Sequence, residues 1–345
     1  MKRLFLMLIV SLCVALAVVS IQAQTQTKYT LTTDGLTIHS GGILTLDTGA
    51  TLTVGGTALS LAPKGSVYYV DALNGSNSND GLSWAAPKLT MAAALALVGS
   101  GDTIYFTGKI REQLSTPVQV FDVTIIGAGN RPRHADAEPD PVGGSSANTW
   151  TVPAADPATA PLLIVRQQGW RFVNILFAGP TDAACVQLLR DGGTGDDERD
   201  ASHAEFINCR FASGQDGIEQ SGGVGHVGVY NCFFTSLTGT AIKHTTGAGI
   251  GHPIRWVIEN NRFTGNANIM TAVAAQDYVI RNNAFMTTTT LTFDFSGGAR
   301  NVVTGNCFNI ASAEFDPTGG VTGSGATDVW SNTLTDTIET GLPAD

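Results

Sequence analysis

The chain has 345 residues, 43% of them hydrophobic, which is ample for a large core and one to three domains. Only 14% are charged, against a usual share of about 25%, and 40 are glycine, a balance that suits a turn-dense β architecture better than helices. A formal net charge of -10, with no run of Lys or Arg after the first residues, argues against a nucleic-acid partner, because phosphate binding needs a basic patch.

Lys2 and Arg3 precede an apolar run from Leu4 to Val19, and small or polar residues follow to Gln24. That run is shorter than the ~20 residues a spanning helix needs. A charged start, a short apolar middle and a cut near Ala23 read as a secretory signal peptide over 1–23. An uncleaved N-terminal anchor is the alternative, since Ile21 weakens the cut site. No other segment could cross a membrane as a helix, so the mature chain is expected to be exported and free of the membrane.

Segment 24–62 holds DGLTIHSG, GILTLDTG and ATLTVGGT, Asp34 to Thr57. An eight-residue period puts Leu36, Leu44 and Leu52 in one column and Ile38, Leu46 and Val54 in another. Each unit has an apolar face and is too small to bury it alone. It reads either as a short β-repeat shaft that assembles with copies of itself or as an extra pair of coils of the solenoid that follows.

YYVDALNGSNSNDGLSWAAPKLTMAAALALVGSGDTIYFTGKIRE spans Tyr68 to Glu112. It contains an extended strand, a Gly/Asn/Asp loop, Pro87 at a helix entrance and an Ala/Leu helix over Met91–Val98. That helix is apolar on most faces and must be buried, as a plug for the open end of a coil would be. The oxygens of Asn74–Gly81 are calcium-like, but turn chemistry explains them. Asn130 to Ala160, with five prolines, reads as a long loop leaving the coil.

From Arg171 the chain repeats: RFVNILF, EFINCRF, GVYNCFF, VIENNRF, VIRNNAF and VVTGNCF. They align on Phe177, Phe211, Phe234, Phe263, Phe285 and Phe308, at spacings of 34, 23, 29, 22 and 23. A period of 22 to 23 with insertions is the mark of a solenoid. Three residues before each Phe stands Asn174, Asn208, Asn231, Asn260 or Asn282, with Gly305 closing the series. Five before it stands an apolar residue. Strand alternation places both on one inward face, so these asparagines are expected to form an interior ladder with steps of ~4.8 Å. Asn also tolerates the left-handed backbone of a sharp corner, so the doubled Asn marks a bend. After Phe315 the repeat fades, and 333–345 is expected to be a tail.

These segments resemble the pectate-lyase-like right-handed parallel β-helix superfamily, and Tyr68–Glu112 is similar to the capping module of such proteins. The resemblance covers roughly Val67 to Asn332. It implies an all-β fold: a single-stranded right-handed parallel β-helix over 63–332, with an N-terminal capping helix and a short β-repeat shaft. The layout also resembles trimeric phage tail spikes and fibres, which implies a homotrimer. The catalytic signatures of the superfamily's pectate lyases and polygalacturonases are not matched; of them only Asp196-Asp197 fits, while Gly225-His226-Val227 and Ile242-Lys243-His244 are poor echoes.

Cys13 leaves with the signal, and Cys185, Cys209, Cys232 and Cys307 lack zinc-ligand spacing, so no metal centre is expected. Cys209 and Cys232 fall in one column and are read as buried free thiols. Two long spacings locate loops, Asp191–His203 and His244–His252, at one corner. Aligning CVQLL, GIEQS and AIKHT puts Gln187, Glu219 and Lys243 in an outward column. The candidate catalytic groups are Asp216, Glu219, Lys243 and His244, and the candidate substrate-binding groups are Asp196, Asp197, Arg199 and Gln220. Two carboxylates suit a glycoside hydrolase. A base at Lys243 or His244, with a Ca²⁺ on the acidic loop, suits a lyase. The bland reading is an exposed Glu219–Lys243 ion pair. Trp150, Trp170, Trp256 and Trp330 could stack on sugars, although Trp170 and Trp256 share a column and read as core. The leading expectation is an exported, non-catalytic surface or virion-associated fibre that contacts a polysaccharide or cell-surface glycan and needs no cofactor. A polysaccharide-degrading enzyme near Glu219 and a purely structural module are the alternatives.

Overall fold

A computed structural model describes residues 65–129, 148–153, 159–191, 199–245, 253–266, 268–271, 275–286 and 300–309, and strands at 29–32, 35–38, 52–54, 57–59, 293–294, 321–322 and 329–334. The chain divides into two compact units, 1–63 and 64–345. In the first, Tyr29–Thr32 pairs with Gly35–Ile38 and Leu52–Val54 pairs with Thr57–Leu59, both antiparallel. Extra solenoid coils would need parallel partners, so that reading is corrected for these strands. Only two residues separate the strands of each pair, and so short a connection permits antiparallel pairing alone.

In the second unit each coil contributes three short strands, as in Asp216–Ser221, Gly228–Tyr230 and Phe233–Thr235. Each pairs in parallel with its counterparts in the coils above and below. Eight first strands, with Arg199–Asp200 added antiparallel, build a nine-stranded sheet, and second and third strands build a 17-stranded one. Such parallel crossovers wind right-handedly, and the fold is a right-handed parallel β-helix. Helix α1 (Met91–Leu95) caps one end. Thr90 accepts from the Ala93 amide, and the Glu112 carboxylate accepts from the Met91 and Ala92 amides at 2.8 and 2.9 Å, so the free N–H groups of the first turn are satisfied. Met91, Ala94, Leu95 and Val98 are buried, while Leu97 is exposed, so the helix is shorter and more one-sided than expected.

The shared phenylalanines stack as the repeat requires. Phe177, Phe211, Phe234, Phe263 and Phe285 are fully buried, with successive ring centroids 4.7 to 5.3 Å apart. Phe308 pairs in register with Phe285, and Leu334 takes the same column one coil later. The repeat therefore continues beyond Phe315, with Leu in place of Phe hiding it. Of the expected 130–160 loop, 130–147 and 154–158 lie outside the described residues, and one part is corrected: Thr149–Thr151 is a strand between Lys109–Arg111 and Leu176–Ala178, and the Trp150 indole is core. Its TWT alternation is masked by the surrounding prolines.

The asparagine ladder runs in the expected column only at Asn174 and Asn208, where Asn208 Nδ2 donates to Asn174 Oδ1 at 3.3 Å, and is displaced by one residue in the later coils. Asn174, Asn208, Asn231, Asn260 and Asn282 all sit in left-handed backbone, φ 54 to 60°, with Gly305 at 65°. Asn231, Asn260 and Asn282 are exposed, and Asn174 and Asn208 are half-buried. The left-handed residue turns the chain between second and third strand and breaks the alternation that predicted an inward side chain. The next position points inward instead. Asn261, Asn283 and Asn306 are buried, and Asn261 bonds to Asn283 and Asn283 to Asn306 at 3.0 and 2.9 Å. Earlier in the column stand Cys209 and Cys232, free and buried, their thiols donating to the Phe172 and Phe206 carbonyls.

Candidate functional site

The site is built on two neighbouring first strands, Asp216–Ser221 and Thr240–Thr245. Their register places Gln187, Glu219 and Lys243 side by side on the outward face, as the aligned segments require. Asp216 begins its strand at a corner where Gly239 of the next coil lies so close that a Cβ there would stand 2.5 Å from the carboxylate oxygen. A side chain at 239 would therefore displace the carboxylate.

Asp216 is buried and accepts from the Thr240 amide at 2.7 Å and from the Lys243 ammonium at 2.8 Å. Glu219 stands 3.9 Å from the same ammonium. Lys243 thus belongs first to Asp216 and only second to Glu219, which revises the simple Glu219–Lys243 pair. Burial lifts the Glu219 carboxyl above its usual range, Lys243 pulls it down, and Asp216 adds to the rise. Burial alone would lower Lys243, but the hydrogen bond it donates to Asp216 and the charges of Asp216 and Glu219 outweigh it and raise the ammonium.

The structure brings Asp216, Glu219 and Lys243 together and takes His244 and Gln220 away. Both are buried on the inward face, alternate to Lys243 and Glu219. His244 packs against Trp256, with ring centroids 4.6 Å apart, and its Nδ1 lies 3.1 Å from the Tyr278 hydroxyl. Burial depresses its pKa to about 3. The placement of these two on the outer face is therefore corrected: strand alternation sends neighbours of outward residues inward. Asp196 and Asp197 lie outside the described residues, as does the acidic loop expected to hold Ca²⁺. Arg199 is placed by its backbone alone, paired antiparallel with Asp191.

Of the tryptophans weighed as sugar platforms, Trp150, Trp170 and Trp256 are fully buried, and the side chain of Trp330 lies outside the described residues. The exposed one, Trp84, lies against Tyr69 with centroids 4.9 Å apart. In the loop with calcium-like oxygens, Asp80 accepts from the Leu82 amide two residues on, as in a turn, while Asn77 accepts from the more distant amides of Leu89 and Thr90 at the helix entrance. The sequence reading also passed over the residue just before each shared Phe. There Arg210, Phe233 and Arg262 form a ladder on the outer face, with both guanidiniums over the Phe233 ring. The aligned repeats display this column, and its alternation of Arg, Phe and Arg is the sequence signal of the ladder. Among the described residues, no group of three or more His, Cys, Asp or Glu side chains could hold a metal ion, and no helix is long and apolar enough to cross a membrane.

Residues 167–334 match the family model described as the right handed beta helix region. No curated protein matches the chain. Solved structures resemble the chain at low identity. Pectate lyase Pel9A is 13% identical with a TM-score of 0.46, covering 79% of this chain and 78% of that one. PfbA, a surface adhesin of Streptococcus pneumoniae, is 13% identical with a TM-score of 0.42, covering 69% and 73%. Pectin methylesterase from carrot is 14% identical with a TM-score of 0.46, covering 82% and 86%.

Proposed function

We propose that this right-handed parallel β-helix protein is an exported surface or virion-associated fibre that contacts polysaccharide without cleaving it. The observation that carries the non-catalytic part is the state of the two candidate bases. Lys243 is held as an ammonium by Asp216, and His244 is walled into the core. An ammonium with a raised pKa is no proton acceptor at neutral pH, and a buried imidazole reaches no substrate. What the outward face does offer is a flat parallel sheet with Gln187, Glu219 and Lys243 in register. Donors and acceptors at steps of ~4.8 Å suit a hydroxyl-rich polymer. Segment 1–23 serves export in this reading, and segment 24–62 joins three copies.

Incubation with a broad panel of acidic and neutral polysaccharides tests it, scoring new reducing ends, ultraviolet-absorbing unsaturated ends and retention of the protein. Retention without cleavage is expected. A second reading, an enzyme acting near Glu219, draws on one observation: its raised carboxyl pKa suits a general acid. Cleavage lost in Glu219→Gln or Asp216→Asn would establish that reading. A monomeric mass for the mature chain in solution would remove the trimer.

A further inference from the structure

We infer that the outward face of the third strands is a separate glycan contact, centred on Arg210, Phe233 and Arg262, that takes sugars bearing carboxylate or sulfate groups. The inference rests on the polysaccharide reading and names the ligand class. Arg210, Phe233 and Arg262 are in-register neighbours on three successive coils. The two guanidinium carbons stand 5.3 and 5.7 Å from the Phe233 centroid, so the ring is held between two cations. Arg262 is exposed, and its guanidinium makes no hydrogen bond or ion pair among the described residues. A guanidinium stacked on a ring keeps its plane fixed while its N–H edge stays available for bidentate recognition of a carboxylate or sulfate. Thr235 and Thr264, half-buried one column over, add hydroxyls beside it.

Charge sets this face apart. From Lys109–Arg111 to the end of Val302–Asn309, the outward third-strand positions of the described residues carry Lys109, Arg111, Arg210 and Arg262 and no Asp or Glu. The second-strand face carries both signs, with Arg171 beside Glu205 and Arg281 beside Glu259, and so does the first-strand face, with Lys243 beside Asp216. In a chain of net charge -10, an outer face with cations alone selects for an anionic partner. Arg210 and Arg262 lie two ladder steps apart, about 9.6 Å, so one glycan running along the helix axis meets both.

The test measures binding of the full mature chain to polygalacturonate, dextran sulfate and dextran at low and at high salt. Binding to polygalacturonate, dextran sulfate or both, weakened by salt and far exceeding that to dextran, is expected. Which of the two anionic polymers binds separates carboxylate from sulfate. Arg262→Gln should weaken anionic binding about tenfold, the loss of one charge-assisted contact, with an unchanged circular dichroism spectrum. Arg262→Lys should recover part of it. Wild-type affinity in Arg262→Gln, or dextran bound as tightly as polygalacturonate, would overturn the inference and leave the polysaccharide reading standing. Silence with these three and with a broad neutral panel would overturn both.

Discussion

Asn260 and Asn261 are adjacent, chemically identical and structurally opposite. Asn260 is exposed, with φ 58°, and forms the corner. Asn261 is buried; its Oδ1 accepts from the Cys232 amide at 2.7 Å, and its Nδ2 donates to the Val229 carbonyl at 2.9 Å. The first supplies a backbone conformation, and the second supplies hydrogen bonds that tie coil to coil. Side-chain identity alone therefore does not tell a corner residue from a ladder residue; the left-handed residue before it does.

The comparison sharpens most under Asn261→Ala, which leaves the buried Cys232 N–H without its acceptor and removes the side-chain bonds to the Val229 carbonyl and to Asn283. A loss of about 3 kcal/mol is expected in denaturant unfolding, from one unsatisfied donor and two lost hydrogen bonds. A second buried polar group, His244, sits outside the ladder and gives a pH test. Its folded pKa is about 3 against an ordinary value of 6.5, so the unfolded chain binds the extra proton first. Stability should be full above pH ~6.5 and fall as pH drops toward the folded value, by about 3 kcal/mol at pH 4 for this group. His244→Met should flatten that slope in unfolding measured across pH.

Asp216→Asn removes the charge that holds Lys243, and because the lysine is partly exposed the expected loss is about 2 kcal/mol, below that of a fully buried pair. The unfolding midpoint at neutral pH checks it. Asn260→Ala should cost only about 1 kcal/mol, the strain of a left-handed alanine, and Asn260→Gly should cost less still. Equal losses at 260 and 261 would erase the distinction between the two positions.

Much of this was legible in the sequence, for definite reasons. The Phe column reads directly because aromatic rings repeat at a near-constant period and stack in register. The outward triplet of Gln187, Glu219 and Lys243 reads from three aligned segments. Hidden were features that depend on a break in periodicity. The left-handed corner shifts inward facing from Asn260 to Asn261, the strand at Trp150 lies among prolines, and Leu334 continues the Phe column one coil past Phe308. Gln220 and His244 were misplaced for a simpler reason: proximity to outward residues outweighed alternation. Asp216, at a corner, reaches Lys243 only because Gly239 leaves room, which no spacing reveals.

Hydrogen exchange at the Cys232 backbone amide, which the Asn261 side chain accepts from the coil below, tests the central claim most directly. The account predicts that this amide is protected to the level of global unfolding in the wild type and in Asn260→Gly, and exchanges far faster in Asn261→Ala. Rapid exchange in the wild type, or equal protection in Asn261→Ala, would contradict the assignment of the second asparagine as the tie between coils.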